Sequence, residues 1–257
     1  MFRYVMRLFL FCFLGGFSVG LYAADAPQAV SAAVSGKRVV LTTAYGTTLD
    51  AYVAGPEDAK RGILILHDRR GLGDYVKGWV DRFAGLGYRA LAVDLYDGRY
   101  SNNPVLATQI MTSVDQESVN ADLRAGLDYL KAPGRKLATL GWDYGGGQAL
   151  WATLQDPGAV SATVIYYGPL ITDLARLRTL QGGAVLGIFA KRDAWITPVK
   201  VTAFEDALRE AGTAPLSVTQ YDADHGFANP ITSAYDSKLA DEAWRKTEEF
   251  LARHLTD

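Results

Sequence analysis

The chain has 257 residues, of which 49% are hydrophobic and 21% charged, with a formal net charge of −2. That apolar share supports a sizeable core, and the length sits within the range of single α/β units. Its lysines and arginines are scattered with no basic stripe, which excludes an electrostatic nucleic-acid binder.

At the N-terminus, Arg3 and Arg7 precede an almost wholly apolar or glycine run from Leu8 to Leu21, followed by the small residues Ala23, Ala24 and Ala26. Charge, apolar run and small residues in that order read as a secretory signal peptide over 1–24, with cleavage between residues 23 and 26. The run is shorter than the roughly 20 apolar residues a spanning helix needs. The expectation is a periplasmic or secreted protein, free of the membrane once cleaved. The single cysteine, Cys12, lies in the leader, so the mature chain of about 230 residues has no thiol for a disulfide. One domain over 25–257 is expected, as a monomer or small homo-oligomer.

Val39–Thr43 and Thr48–Val53 alternate around Tyr45-Gly46, which predicts an antiparallel hairpin. Gly62–Leu66 is continuously apolar, as in a strand buried on both faces, and runs into the polar loop His67-Asp68-Arg69-Arg70-Gly71. Trp79, Phe83 and Leu86 recur at helical spacing, Gly87 closes that helix, and Tyr88–Val93 is the next strand. Asp97–Pro104 is turn-rich; Val119, Leu123, Leu127 and Leu130 then mark an amphipathic helix ending before Pro133-Gly134. Strand Lys136–Leu140 leads through a glycine-rich turn into a helix continuing over Gln148–Leu154. Strands at 162–167, 184–189 and 216–221 alternate with helical patterns at 173–180, 199–211 and 238–255. This alternation implies a largely parallel sheet with helices on both faces.

The turn Gly141-Trp142-Asp143-Tyr144-Gly145, between a strand and a helix, has the form of the α/β-hydrolase nucleophile elbow, with Asp143 at its apex. Function in such sheets collects at the carboxyl ends of strands. The loops there hold Asp143, Asp193 and His225 in the order nucleophile, acid, histidine. Plainer readings stand beside each residue. An aspartate tolerates a strained turn, and Asp222 and Asp224 compete with Asp193 to orient the histidine. Arg69 and Arg70 are either a solvated surface or a bidentate clamp for an anion. His67 either lines the cleft or caps a buried hydrogen bond, and His254, at a helix end that suits a cation, is given no chemistry. Tyr144, Tyr166, Tyr167 and Trp195 are candidates for an aromatic wall.

Leu66-His67-Asp68-Arg69-Arg70-Gly71-Leu72, Val93-Asp94-Leu95-Tyr96, the elbow, Asp193 and His225-Gly226-Phe227-Ala228-Asn229-Pro230 together resemble the dienelactone hydrolase family. The resemblance runs from about Gly62 to the C-terminus. It implies a single α/β-hydrolase domain without a large cap, a triad at positions 143, 193 and 225, and oxyanion-hole donors from the backbone amides of Arg69 and Tyr144. The pocket expected from the resemblance and from the loop residues together includes Asp68, Arg70, Trp195 and Asn229. The family's nucleophile is a cysteine, where this chain has Asp143. Its glutamate that tunes the thiol corresponds to Asp68, and the arginine that helps hold a substrate carboxylate corresponds to Asn229.

A carboxylate attacking an ester creates an intermediate whose better leaving group is that same carboxylate, so activated esters or lactones are the expected substrates. At a saturated carbon the difficulty disappears, and Asp143 is similar in position to the elbow aspartate of haloalkane dehalogenases and epoxide hydrolases. A halide also needs donors, and Trp142 and Trp195 are the nearby indoles. Three readings remain: hydrolysis of a small ester or lactone, displacement at a carbon–halide or epoxide bond, and a non-catalytic binding protein. Gly141-x-x-x-Gly145-x-Gly147 also matches a dehydrogenase phosphate loop, but it follows several strands and no tyrosine has a lysine four residues later. No cofactor or metal is expected, since no paired histidines occur at ligand spacing.

Overall fold

The computed structural model describes residues 36–180 and 182–256. The signal-peptide assignment and its cleavage position lie outside the described residues. Strands β1 (Lys37–Thr42) and β2 (Thr48–Ala54) form the expected hairpin. They are followed by β3 (Arg61–Leu66), helix α1 (Asp74–Gly85), β4 (Arg89–Val93), α2 (Pro104–Ser113), α3 (Gln116–Leu130), β5 (Lys136–Trp142) and α4 (Tyr144–Gln155). Then come β6 (Val160–Tyr166), the short α5 (Leu174–Leu177) with a 3-10 turn at Arg178–Leu180, β7 (Ala184–Ala190), α6 (Pro198–Glu210), β8 (Leu216–Tyr221) and α7 (Ser237–His254).

The strands make one sheet in the order β1-β2-β4-β3-β5-β6-β7-β8. β2 is antiparallel to both neighbours and all other pairs are parallel. Alternation along each strand explains the layers. In β3, Ile63 and Ile65 face α1 and α7 with Phe83, Trp244 and Phe250, while Leu64 and Leu66 face α3 and α4 with Leu123, Leu127 and Ala149. Each of these fully buried β3 side chains contributes about 1.5–3 kcal/mol of apolar burial. That is why this strand reads as an uninterrupted apolar run. Toward β7, α6 covers Val185 and Phe189 with Val201, Phe204 and Leu208. Behind the elbow, Thr153 of α4 bonds Thr139 of β5 at 2.9 Å and Thr163 of β6 at 2.7 Å, fastening that helix to the two strands it joins.

Two differences from the sequence expectation concern helices. The turn-rich stretch after β4 ends in α2, which the weak periodicity of its short, largely uncharged sequence concealed. Its start was legible, since Asn103 caps the amides of Val105 and Leu106 and Pro104 takes the first helical position. The helical pattern at 173–180 resolves into the single turn α5 and the 3-10 turn. Among the described residues, no helix is long and apolar enough to cross a membrane.

Candidate active site

The end of β5 and the start of α4 force the geometry at Asp143. Its backbone has φ 53° and ψ −122°, outside the ordinary regions, a conformation that costs on the order of 1–3 kcal/mol. The surroundings hold it there. The Asp143 amide donates to the carbonyl of Tyr166 at 3.0 Å, and its own carbonyl accepts from Gly146 at 2.9 Å. The flanking glycines are required by close approach. A Cβ at Gly141 would lie 2.1 Å from the Gly145 carbonyl oxygen, and one at Gly145 would lie 2.2 Å from that of Leu66. The aspartate is thereby lifted to the carboxyl edge of the sheet, with its side chain 15% exposed.

His225 follows β8 and presents Nε2 3.2 Å from Oδ1 of Asp143. Its Nδ1 lies 2.6 Å from Oδ2 of Asp193, which follows β7. The other oxygen of Asp193 accepts the amides of Trp195 at 2.8 Å and Ile196 at 2.9 Å, so its orientation is fixed from both ends. Asp222 and Asp224 instead pair with Arg192 on the surface. Edges of Tyr167 and Trp195 flank the imidazole, with ring centroids 5.1 and 5.2 Å away.

Arg69 supplies what the sequence left open. Its guanidinium is neither a solvated surface nor a free anion clamp. Nε donates to Oδ2 of Asp143 at 2.6 Å and Nη2 to Oδ1 at 2.8 Å, a bidentate fork, while the Arg69 amide also reaches Oδ2 at 3.3 Å. Arg70 and Asp68 form a second pair. Asp68 is 4% exposed and takes the Arg70 amide at 2.8 Å, its guanidinium at 2.7 Å and the Asn229 amide group at 3.0 Å. Asn229 therefore serves Asp68, and its oxygen accepts from Ile231 at 3.1 Å.

Electrostatics follow from this pattern of alternating charge. Burial pushes the Asp143 carboxyl upward, but hydrogen bonds from His225 and Arg69 outweigh it and hold the group well below the usual carboxylate range. Burial opposes the charge on His225 as well, yet hydrogen bonds to Asp143 and Asp193 raise its pKa to about 9. Both shifts favour the charged forms, a carboxylate and an imidazolium, although Nη2 of Arg69 also lies 3.3 Å from Nε2 of His225. His67, by contrast, is fully buried, and burial lowers its pKa. Its ring joins the Asp68 carbonyl at 2.8 Å and the Leu95 amide at 3.1 Å, which is the capping role.

A cleft of about 340 Å³ opens over these groups. Asp68, Arg69, Arg70, Asp143, Trp195, His225 and Asn229 line it, together with Tyr167 and the start of α2 at Asn102, Pro104 and Ala107. Tyr144 is the first residue of α4, where the helix has no intrahelical partner for its amide, and its ring packs on His67 and Tyr96 instead of lining the cleft. Trp142 points away, among Tyr75, Trp79 and Tyr166. Tyr166 lies in the core, bonded to Thr247 at 2.7 Å. The sequence had no signal for the Arg69 fork, because it depends on a contact across 74 positions. Among the described residues no cluster of histidine, cysteine or acidic side chains is arranged to hold a metal ion.

A model described as the dienelactone hydrolase family matches residues 49–255. The chain belongs to the dienelactone hydrolase family. This member is a hydrolase, with the fold of its family. It is 27% identical over 225 residues to the protein usf of Aquifex pyrophilus, covering 82% of this chain and 96% of that one. It is 24% identical over 248 residues to a Saccharolobus solfataricus protein provisionally named carboxymethylenebutenolidase, covering 81% and 95%. A solved structure of a dienelactone hydrolase-like promiscuous phosphotriesterase from metagenomic libraries superposes with a TM-score of 0.74 at 22% identity, covering 86% of this chain and 98% of that one. At that identity the superposition speaks for the fold alone.

Proposed function

We propose that this dienelactone hydrolase family member cleaves small esters or lactones with an activated leaving group, using Asp143 as nucleophile, His225 as proton carrier and Asp193 as its orienting acid. The observation that carries the proposal is the contact of Asp143 with His225 at 3.2 Å, backed by Asp193 at 2.6 Å. A carboxylate is a better leaving group than a phenol-like oxygen by about 6 pKa units, or about 8 kcal/mol, so an unassisted intermediate reverts. An imidazolium already in place removes that difficulty by protonating the departing oxygen. It does for Asp143 what it does for a thiolate in a cysteine hydrolase. Once acylated, Asp143 is no longer an anion, and His225 loses one of the two charges that raise its pKa to about 9. It then becomes the base that activates water.

Epoxide opening uses the same proton transfer and is the second reading. Carbon–halide cleavage is supported less, because Trp142, the indole beside the elbow, packs in the core. A panel of p-nitrophenyl acetate, an enol lactone, a haloalkane and an epoxide tests the order. Turnover is expected for the first two, and its absence across the panel overturns the proposal. The leader pattern over 1–24 further supports export. Expressed with that leader, the recovered protein is expected to begin between residues 24 and 26, and an intact Met1 on the recovered protein overturns export by cleavage.

A further inference from the structure

The two oxygens of Asp143 are held differently. Oδ1 lies on the side of the proton carrier, 3.2 Å from His225 Nε2. Oδ2 accepts twice from one residue, from the Arg69 amide at 3.3 Å and from its Nε at 2.6 Å. Building on the reading of Asp143 as nucleophile, we propose that Arg69 is a catalytic residue: its amide and Nε–H form the oxyanion hole for a tetrahedral centre at Cγ of Asp143. The covalent intermediate is then hydrolysed at the enzyme's own carboxyl carbon and not at the substrate's acyl carbon.

The chemistry balances as follows. Oδ1 attacks the ester carbonyl, the bond to the leaving oxygen breaks, and that oxygen takes the proton of His225, which leaves a mixed anhydride on Asp143. Water then attacks Cγ while neutral His225 takes one of its protons. The negative charge falls on Oδ2, between the two Arg69 donors. Collapse breaks the Cγ–Oδ1 bond, the product carboxylate departs with the original Oδ1, and Asp143 keeps an oxygen from water and loses a proton to solvent. An oxyanion at Oδ2 meets a charged donor, and charge-assisted hydrogen bonds are roughly twice as strong as neutral ones. A tetrahedral centre at the acyl carbon would put its oxygen elsewhere and leave this fork on an unreacting atom. The guanidinium is positioned for the task, with its side chain 26% exposed and its carbon 5.4 Å from the ring of Trp195. Its second arm, Nη2 on Oδ1, is released when Oδ1 becomes an ester-type oxygen and a poorer acceptor.

The test is repeated turnover of p-nitrophenyl acetate in heavy-oxygen water, followed by mass analysis of the peptide containing Asp143. Heavy oxygen is expected in that peptide, and the acetate of the first turnover is expected to be unlabelled. An unlabelled peptide beside labelled acetate overturns the inference. If His225→Gln still traps an acyl adduct on Asp143 in that case, the nucleophile reading survives. If no adduct forms in His225→Gln, that reading falls too, as it does if the ester is not turned over. Arg69→Gln supplies a second readout. It is expected to lower kcat by about 10²–10³-fold with KM falling in parallel and kcat/KM nearly unchanged, preserve the p-nitrophenol burst and let the adduct accumulate. Equal loss of burst and steady-state rate overturns the role of the guanidinium.

Discussion

Asp143→Asn is expected to lower kcat on the best ester of the panel by at least ~10⁴-fold, the scale of removing a nucleophile from a triad that acts as a unit. The substitution is chosen for its backbone. Residue 143 sits at φ 53° and ψ −122°, and asparagine has the same shape as aspartate there, so the substitution leaves the strained turn as it is. Volume and one acceptor toward Arg69 are retained; the charge and the nucleophilic oxygen pair are lost. A second signature follows from the electrostatics. His225 keeps Asp193 but loses the hydrogen bond and charge of Asp143, so its pKa falls from about 9 toward its ordinary 6.5. Titration of the imidazole by NMR checks this alongside the rate. Activity within tenfold of wild type would remove Asp143 from the chemistry, and an unmoved histidine pKa would remove the ion pair.

How much of this was legible in the sequence depends on the range of each interaction. The central strands were readable because a strand buried on both faces needs a continuous apolar run, as in Gly62–Leu66, and the outer hairpin because its residues alternate around Tyr45-Gly46. The elbow was readable because close packing of β5, α4 and β3 forbids a Cβ at positions 141 and 145. The alignment of positions 143, 193 and 225 at three strand ends was readable from strand order. Helix α2 was concealed because its amphipathic signal is weak, although Asn103 and Pro104 announced it. Side-chain pairings across the sheet edge were not readable at all. Nothing local distinguishes Arg69, which reaches Asp143, from Arg70, which turns back to Asp68.

That difference bears on how an aspartate is accommodated at the elbow. Positions 68 and 229 match the family's glutamate and arginine, but here Asp68 and Asn229 bond each other and Arg70. The loop residue that bonds the apex is the next one, Arg69. A buried carboxylate without counter-charge is strongly disfavoured. Asp143 has Arg69 and His225 as partners and His225 has Asp143 and Asp193, so both carboxylates are matched, while Nη2 of Arg69 also approaches Nε2 of His225 at 3.3 Å.

The pH dependence of kcat/KM separates this charge pattern from a site built on a neutral histidine. It reports the free enzyme, whose active form in the proposed mechanism is Asp143 ionised and His225 protonated. Toward acid, the Asp143 carboxyl is held below the usual carboxylate range by His225 and Arg69, so activity persists through mildly acidic pH. Toward base, His225 loses its proton with a pKa of about 9, and activity falls above that value for substrates whose leaving oxygen needs a proton. A neutral-base mechanism gives the opposite limb, a rise through about 6.5 as histidine deprotonates. The His225→Gln variant sharpens the contrast. It is expected to lose ~10³-fold or more in steady-state kcat and to lose the alkaline limb, while p-nitrophenolate, which leaves without a proton, still departs in a burst. Stability follows the same sign, because the folded pKa lies above the unfolded one. The contribution of His225 is fully present below 6.5 and disappears as pH climbs through about 9, so Tm falls across that window. A kcat/KM profile that rises through 6.5 and stays flat beyond 9 would assign His225 as a neutral base and remove the resting ion pair from the mechanism.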